Sequence, residues 1–166
     1  MDKNELEKRL ENIKERIKRA AEKNKRDIDS ISLVAVSKRH SLEKINLFAD
    51  QGIHLFGESR VQELTDKYAK RPDLNWHFIG HLQRNKVKYL MRMENCKLIH
   101  SLDSWRLAKE INKRAKKNNR IMPLLLQVNV ADEDSKYGIT VEKANDFLTK
   151  AEKLENINII GLMTMA

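Results

Sequence analysis

The chain has 166 residues, a formal net charge of +9, only 5% aromatic residues and a single cysteine, Cys96. That length suits one domain built on an aliphatic core, and one cysteine excludes an internal disulfide. No stretch has the length of a membrane span, and the charged amino terminus lacks the apolar block of a secretory signal, so the expected location is the cytoplasm.

Leu6, Leu10, Ile13, Ile17 and Ala21 recur at steps of three or four and predict one amphipathic helix over about residues 2–26. Strand-like and helical segments then alternate. The spacing predicts strands over 31–37, 53–57, 76–80, 97–101, 124–130 and 157–163. Between them it predicts helices from Ser41 to about Gln51, stopped by Gly52, and from Arg60 to Lys70, ended by Pro72. Further helices run over about 84–93, from a cap at Asp103 to Asn118, and from a cap at Thr140 to Leu154.

Strands alternating with helices imply a parallel sheet with right-handed crossovers, either doubly wound or a (β/α)8 barrel. A doubly wound nucleotide domain carries a glycine-rich first turn, whereas Ser37-Lys38-Arg39-His40 contains no glycine. The pattern therefore favours a TIM-type α/β barrel. With an amino-terminal helix, six strands and five helices it is incomplete, because a closed barrel needs eight units. Residues 1–166 are read as one domain, and the terminal strands of the open sheet are expected to expose edges that make the chain self-associate.

Excess positive charge gathers in Arg84–Lys97 and Arg106–Arg120, both within helical segments. No aromatic residues interleave with it and no nucleic-acid signature is present, so solvated basic helices are favoured over an RNA-binding reading. His77 and His81 are four apart on a strand and loop rather than a helix, which disfavours a zinc site. His54, His77 and His100 sit near successive strand ends and would approach one another. Cys96 has basic neighbours that favour a thiolate, yet no partner histidine, and reads as incidental. Glu58 and Glu63 read as capping and charge-pairing residues.

Lys38 ends the first strand. A strand-end lysine taken alone usually snorkels; one that is partly desolvated can condense with a carbonyl as a free amine. Three further segments follow strand ends: Gly57-Glu58-Ser59-Arg60-Val61-Gln62-Glu63-Leu64, His77-Phe78-Ile79-Gly80-His81-Leu82-Gln83-Arg84-Asn85-Lys86, and Gln127-Val128-Asn129 with Glu133, Ser135, Lys136 and Gly138. In a parallel barrel all would meet at the carboxyl face around Lys38.

With Ser37-Lys38 and Gly161-Leu162-Met163-Thr164-Met165-Ala166, these segments make the chain resemble the pyridoxal phosphate homeostasis proteins, single-domain relatives of the alanine racemase amino-terminal barrel. The resemblance runs from about residue 5 to the last residue. It implies that Lys38 holds pyridoxal 5′-phosphate as an aldimine and that Ser59, His77, Ile79, Asn129 and Met163 line the pocket. Ser59 stands where the family's Gly-Glu-Asn motif has asparagine, keeping a hydroxyl in place of an amide. The family's last two strands and its phosphate-holding residues are expected beyond Ala166. The implied role is intracellular cofactor homeostasis without catalysis, with amino acids and cofactor-dependent apoenzymes as recipients. The alternative, a fold-type III amino-acid racemase, is disfavoured. Its second proton-transfer group would come from a separate β-rich domain, and Tyr137 is not read as that acid.

Overall fold

The apolar period of the first segment forms α1 (Lys3–Lys23), which buries Leu6, Leu10 and Ala21 in the computed structural model. The structure describes residues 3–130 and 137–165. A single 3-10 turn at Ile28–Ser30, capped by Asp27, leads into β1 (Ala35–Val36). There follow α2 (Leu42–Ala49), β2 (Leu55–Glu58), α3 (Val61–Lys70), β3 (Asn75–Phe78), α4 (Val87–Leu90), β4 (Cys96–Leu102) and α5 (Trp105–Lys117). The described chain closes with β5 (Met122–Asn129), β6 (Ile139–Thr140), α6 (Val141–Ala151) and β7 (Ile157–Met163).

All recorded strand pairings are parallel. The ladder runs β1-β2-β3-β4-β5, and β5 then pairs along most of its length with β7 and over its last two residues with β6. The sheet is thus an open arc of the α/β barrel type with β1 and β7 at its ends, as the strand–helix alternation predicts.

Four details differ from the sequence expectations. The expected strand over 31–37 keeps only two residues in the ladder. The expected helix over 84–93 is a 3-10 turn at Arg84–Lys86 followed by the single turn α4, and β6 is an additional strand. The cap of α5 is Ser104, whose Oγ accepts from the Leu107 N–H at 3.4 Å, because the helix starts at Trp105, one residue later than a cap at Asp103 would require.

Alternation along the strands assigns the two faces. Trp76 and Phe78 are fully buried while Asn75 and His77, alternating with them, are half-buried. The buried set packs beneath the helices: Phe56, Trp76, Phe78, Ile99, Leu124 and Leu126 of the strands meet Ile45, Leu64, Leu107 and Ile111. Phe56 and Trp76 meet tilted at 39° with ring centroids 5.6 Å apart, and Trp105 meets Phe147 edge-on at 5.9 Å. A closed parallel barrel would bury both faces. Here the concave face stays partly open because the arc does not close.

The basic segments serve packing as well as solvation. Arg120 donates to the carbonyls of Met93 and Cys96 at 2.8 and 2.7 Å, and Arg114 pairs with Glu110 at 2.6 Å. Cys96 begins β4, fully buried, and burial pushes its thiol up to about 12 against the opposing pull of Arg120 and Lys97. Desolvation outweighs the basic neighbours, which by themselves would favour a thiolate.

Candidate functional site

The register aligns Val36, Gly57 and His77 across β1, β2 and β3. Two residues further along each strand direction come Lys38, Ser59 and Ile79, so these three share one level at the carboxyl end of the arc. Asn129 is the last residue of β5 and Met163 the last of β7, where Met163 pairs in register with Gln127. All six residues expected at the site therefore sit at or just beyond carboxyl strand ends. Glu133, Ser135 and Lys136 lie outside the described residues.

Gly57 forms the floor between the first three strands. A Cβ there would come within 3.1 Å of Val34 Cγ1 and 3.3 Å of Ile79 Cδ1, so glycine is what lets these two apolar side chains pack closely against the β2 backbone. At the next level a Cβ on Gly80 would lie 2.1 Å from the Ser59 carbonyl oxygen. Glycine at position 80 is what lets the loops after β2 and β3 cross, and the Ile79 N–H donates to the Glu58 carbonyl at 2.8 Å beside that crossing.

Lys38 occupies a tight turn. Ser37 N–H continues the ladder to the Gly57 carbonyl at 3.0 Å, and His40 N–H closes the turn on the Ser37 carbonyl at 3.0 Å. Arg39 takes φ of 62°, a left-handed conformation that is costly for a residue with a side chain. Lys38 is exposed. With β1 at the end of the arc, nothing described covers the turn on its outer side.

The buried lysine is a different one. Lys67 of α3, its side chain 10% exposed, donates to Glu58 Oε1 at 2.6 Å, Glu63 Oε1 at 2.7 Å and the Ser37 carbonyl at 2.8 Å. Glu58 is fully buried and also accepts from Ser37 Oγ at 2.6 Å, while its Oε2 has no hydrogen-bond partner among the described residues. Glu63 accepts from the Arg39 N–H at 2.7 Å. Burial alone would raise the Glu63 carboxyl; the Lys67 hydrogen bond and the Arg39 N–H outweigh it and hold the carboxyl below its ordinary range. Charge pairing expected of Glu58 and Glu63 is present, but the sequence reading did not single out Lys67. Its signal was the Glu63–Lys67 spacing of four on a helix that follows a strand ending in Glu58.

His77 and His100 form the second polar feature, with His77 Nδ1 3.0 Å from His100 Nε2. Burial, then the neighbouring imidazole, lowers His77 to about 4, and burial lowers His100. Both rings are therefore neutral at pH 7, one donating to the other. His54 does not join them: it precedes β2 at the opposite end of the strands, where its carbonyl accepts from the Asn75 N–H. His81 Nδ1 lies 2.9 Å from Asp103 Oδ2, and its ring stacks on Tyr137 at 3.8 Å. Among the described residues no three His, Cys, Asp or Glu side chains converge as a metal site.

Comparison with known proteins matches residues 9–166 to the family "Alanine racemase, N-terminal domain". A pyridoxal phosphate homeostasis protein of Aquifex aeolicus is 44% identical over 159 residues, covering 95% of this chain and 69% of that protein. The protein of the same name from Homo sapiens is 32% identical, covering 94% of this chain and 61% of its own length. Among solved structures, PipY of Synechococcus elongatus with PLP bound superposes with a TM-score of 0.76 at 34% identity, covering 90% of this chain and 70% of that one.

Proposed function

Because the chain belongs to the alanine racemase N-terminal domain family, and within it to the pyridoxal phosphate homeostasis proteins, we propose that it binds pyridoxal 5′-phosphate at Lys38 as a carrier and not as a catalyst. The observation that carries this reading is the turn that presents the Lys38 amine at the carboxyl end of an arc resembling the PLP-bound PipY structure.

The residues present fit such a cofactor. Lys38 offers a primary amine, accessible to an incoming aldehyde and to a competing amine alike. Val34 and Ile79, packed closely against Gly57, supply apolar surface beside the strand ends, and the neutral His77–His100 pair lies on the adjoining strands. Ser59, Asn129 and Met163, at the carboxyl ends of β2, β5 and β7, are the further lining residues of this reading. Lys38 would hold such a cofactor through its amine, and the chemistry the cofactor would supply is a reactive aldehyde carbon that takes a primary amine as a C=N bond with its oxygen leaving as water, reversibly for any competing amine.

Easy exchange suits a reservoir that serves amino acids and cofactor-dependent apoenzymes. Racemisation would need a second proton-transfer group on the opposite face of the substrate, and Tyr137, the tyrosine weighed for that role, is stacked on His81. No described helix is long and apolar enough to cross a membrane, and we place the protein in the cytoplasm.

The test is an absorbance titration with pyridoxal 5′-phosphate, followed by borohydride reduction and peptide mapping, with Lys38→Ala as control. Saturable labelling confined to Lys38 is the expected result. Weak labelling spread over many lysines would refute the assignment.

A further inference from the structure

We propose that Lys67, clamped between Glu58 and Glu63, is the positioning residue of Lys38. The inference rests on the reading of Lys38 as the cofactor's attachment point, but its structural content is independent of any ligand.

The cluster ties the backbone of the turn on both sides of Lys38. The Lys67 ammonium has three N–H donors and three partners, Ser37 O, Glu58 Oε1 and Glu63 Oε1. The Ser37 carbonyl receives both Lys67 and His40 N–H, and the Ser37 hydroxyl and amide go to Glu58 and the Gly57 carbonyl. On the far side of Lys38, the Arg39 amide is taken by Glu63. The two peptide units flanking Lys38 are thus both tied, directly or through Glu63, to one buried ammonium on α3.

That anchoring answers a specific need. A turn with positive φ at its third residue favours glycine, and here the position holds arginine. β1 contributes only two ladder residues and lies at the end of the arc, so strand pairing alone holds the turn weakly. The Arg39–Glu63 hydrogen bond offsets the left-handed conformation, and Lys67 fixes Glu63 in place to accept it. The Lys38 side chain then leaves the backbone in one direction and not in several. Lys67 touches no reacting atom; it acts through the backbone it holds.

Two readouts test the assignment. The first is the rate of borohydride-trapped labelling at Lys38 by pyridoxal 5′-phosphate; the second is hydrogen exchange of the Arg39 amide, which needs no ligand. Glu63→Ala should slow Lys38 labelling about tenfold, well within the loss that misplacing a reactive group causes. It should also raise Arg39 amide exchange at least about tenfold. Glu63→Gln, which keeps the acceptor oxygen, should recover most of both. Lys67→Met should behave like Glu63→Ala where it folds, and the Glu63 pair decides the matter where it does not. A merely structural cluster would lower the melting temperature of Glu63→Ala and leave Lys38 labelling at the wild-type rate below the transition; that result would overturn the proposal. Unchanged Arg39 exchange in Glu63→Ala would overturn it equally. Failure of the wild-type chain to label at Lys38 would instead sink the proposed function, and Arg39 exchange would still decide whether Lys67 and Glu63 hold the turn.

Discussion

His77 Nδ1 and His100 Nε2 face each other at 3.0 Å across adjacent strands, and both imidazoles are held neutral. The unfolded chain takes up these protons near pH ~6.5, whereas the folded chain protonates His77 only near pH 4. Between those values the unfolded state binds more protons, so stability rises with pH. The contribution is complete above the upper value and is lost as pH falls through the window. Each histidine adds at most about 1.4 kcal/mol per pH unit, the limit for one proton, and the partial exposure of both rings reduces it. Urea unfolding at several pH values should show this slope, and His77→Asn should flatten it relative to wild type. Parallel curves for the two proteins would count against a neutral pair.

Gly80 and Gly52 make a matched contrast. A Cβ at Gly80 would strike the Ser59 carbonyl, which is backbone and cannot rotate away, while Gly52, at φ of 81°, has open space around it. Gly80→Ala should therefore cost about 3 kcal/mol or more by forcing the two loops apart. Gly52→Ala should cost only about 1 kcal/mol, from its backbone conformation alone. Denaturation midpoints separate the two. Equal losses would mean that the loop crossing does not constrain the fold.

Cys96 has no accessible surface and its thiol is pushed up to about 12. It should be inert to an aromatic disulfide reagent at pH 8 in the native state and react stoichiometrically in denaturant. Rapid native modification would show that the start of β4 opens readily.

β7 ends the arc with Ile160 and Leu162 57% and 66% exposed. An unpaired edge flanked by exposed aliphatic side chains favours association between copies. Sedimentation velocity should show a concentration-dependent shift to larger species, and Leu162→Lys should reduce it. A monomer with a concentration-independent unfolding transition would exclude this edge as an association surface.

Much of the fold was legible because strand and helix signals alternate without interruption. The two apolar periods, two and 3.6, are local properties of the chain. The misreadings have local causes as well. Residues 31–34 look like strand but remain outside the ladder, since β1 has a partner on one side only. Arg84–Lys86 tightens into a 3-10 turn, which leaves α4 a single helical turn. Lys67 was invisible as a functional residue because a helical lysine four residues after a glutamate ordinarily signals a solvated pair.

By itself the amino-acid sequence determined the succession of elements, the strand-end placement of Lys38, Ser59, His77, Ile79, Asn129 and Met163, and the family to which they belong. Those follow from periodicity and from motifs read in order. Only the tertiary structure decided which lysine is buried and which is exposed. Lys38 and Lys67 are alike as residues. Burial depends on Glu58, Glu63 and the Ser37 carbonyl converging from β2, α3 and the β1 turn to take the three hydrogens of one ammonium. Desolvating a charge is tolerable only where such partners replace water, and that convergence is a property of the folded chain alone.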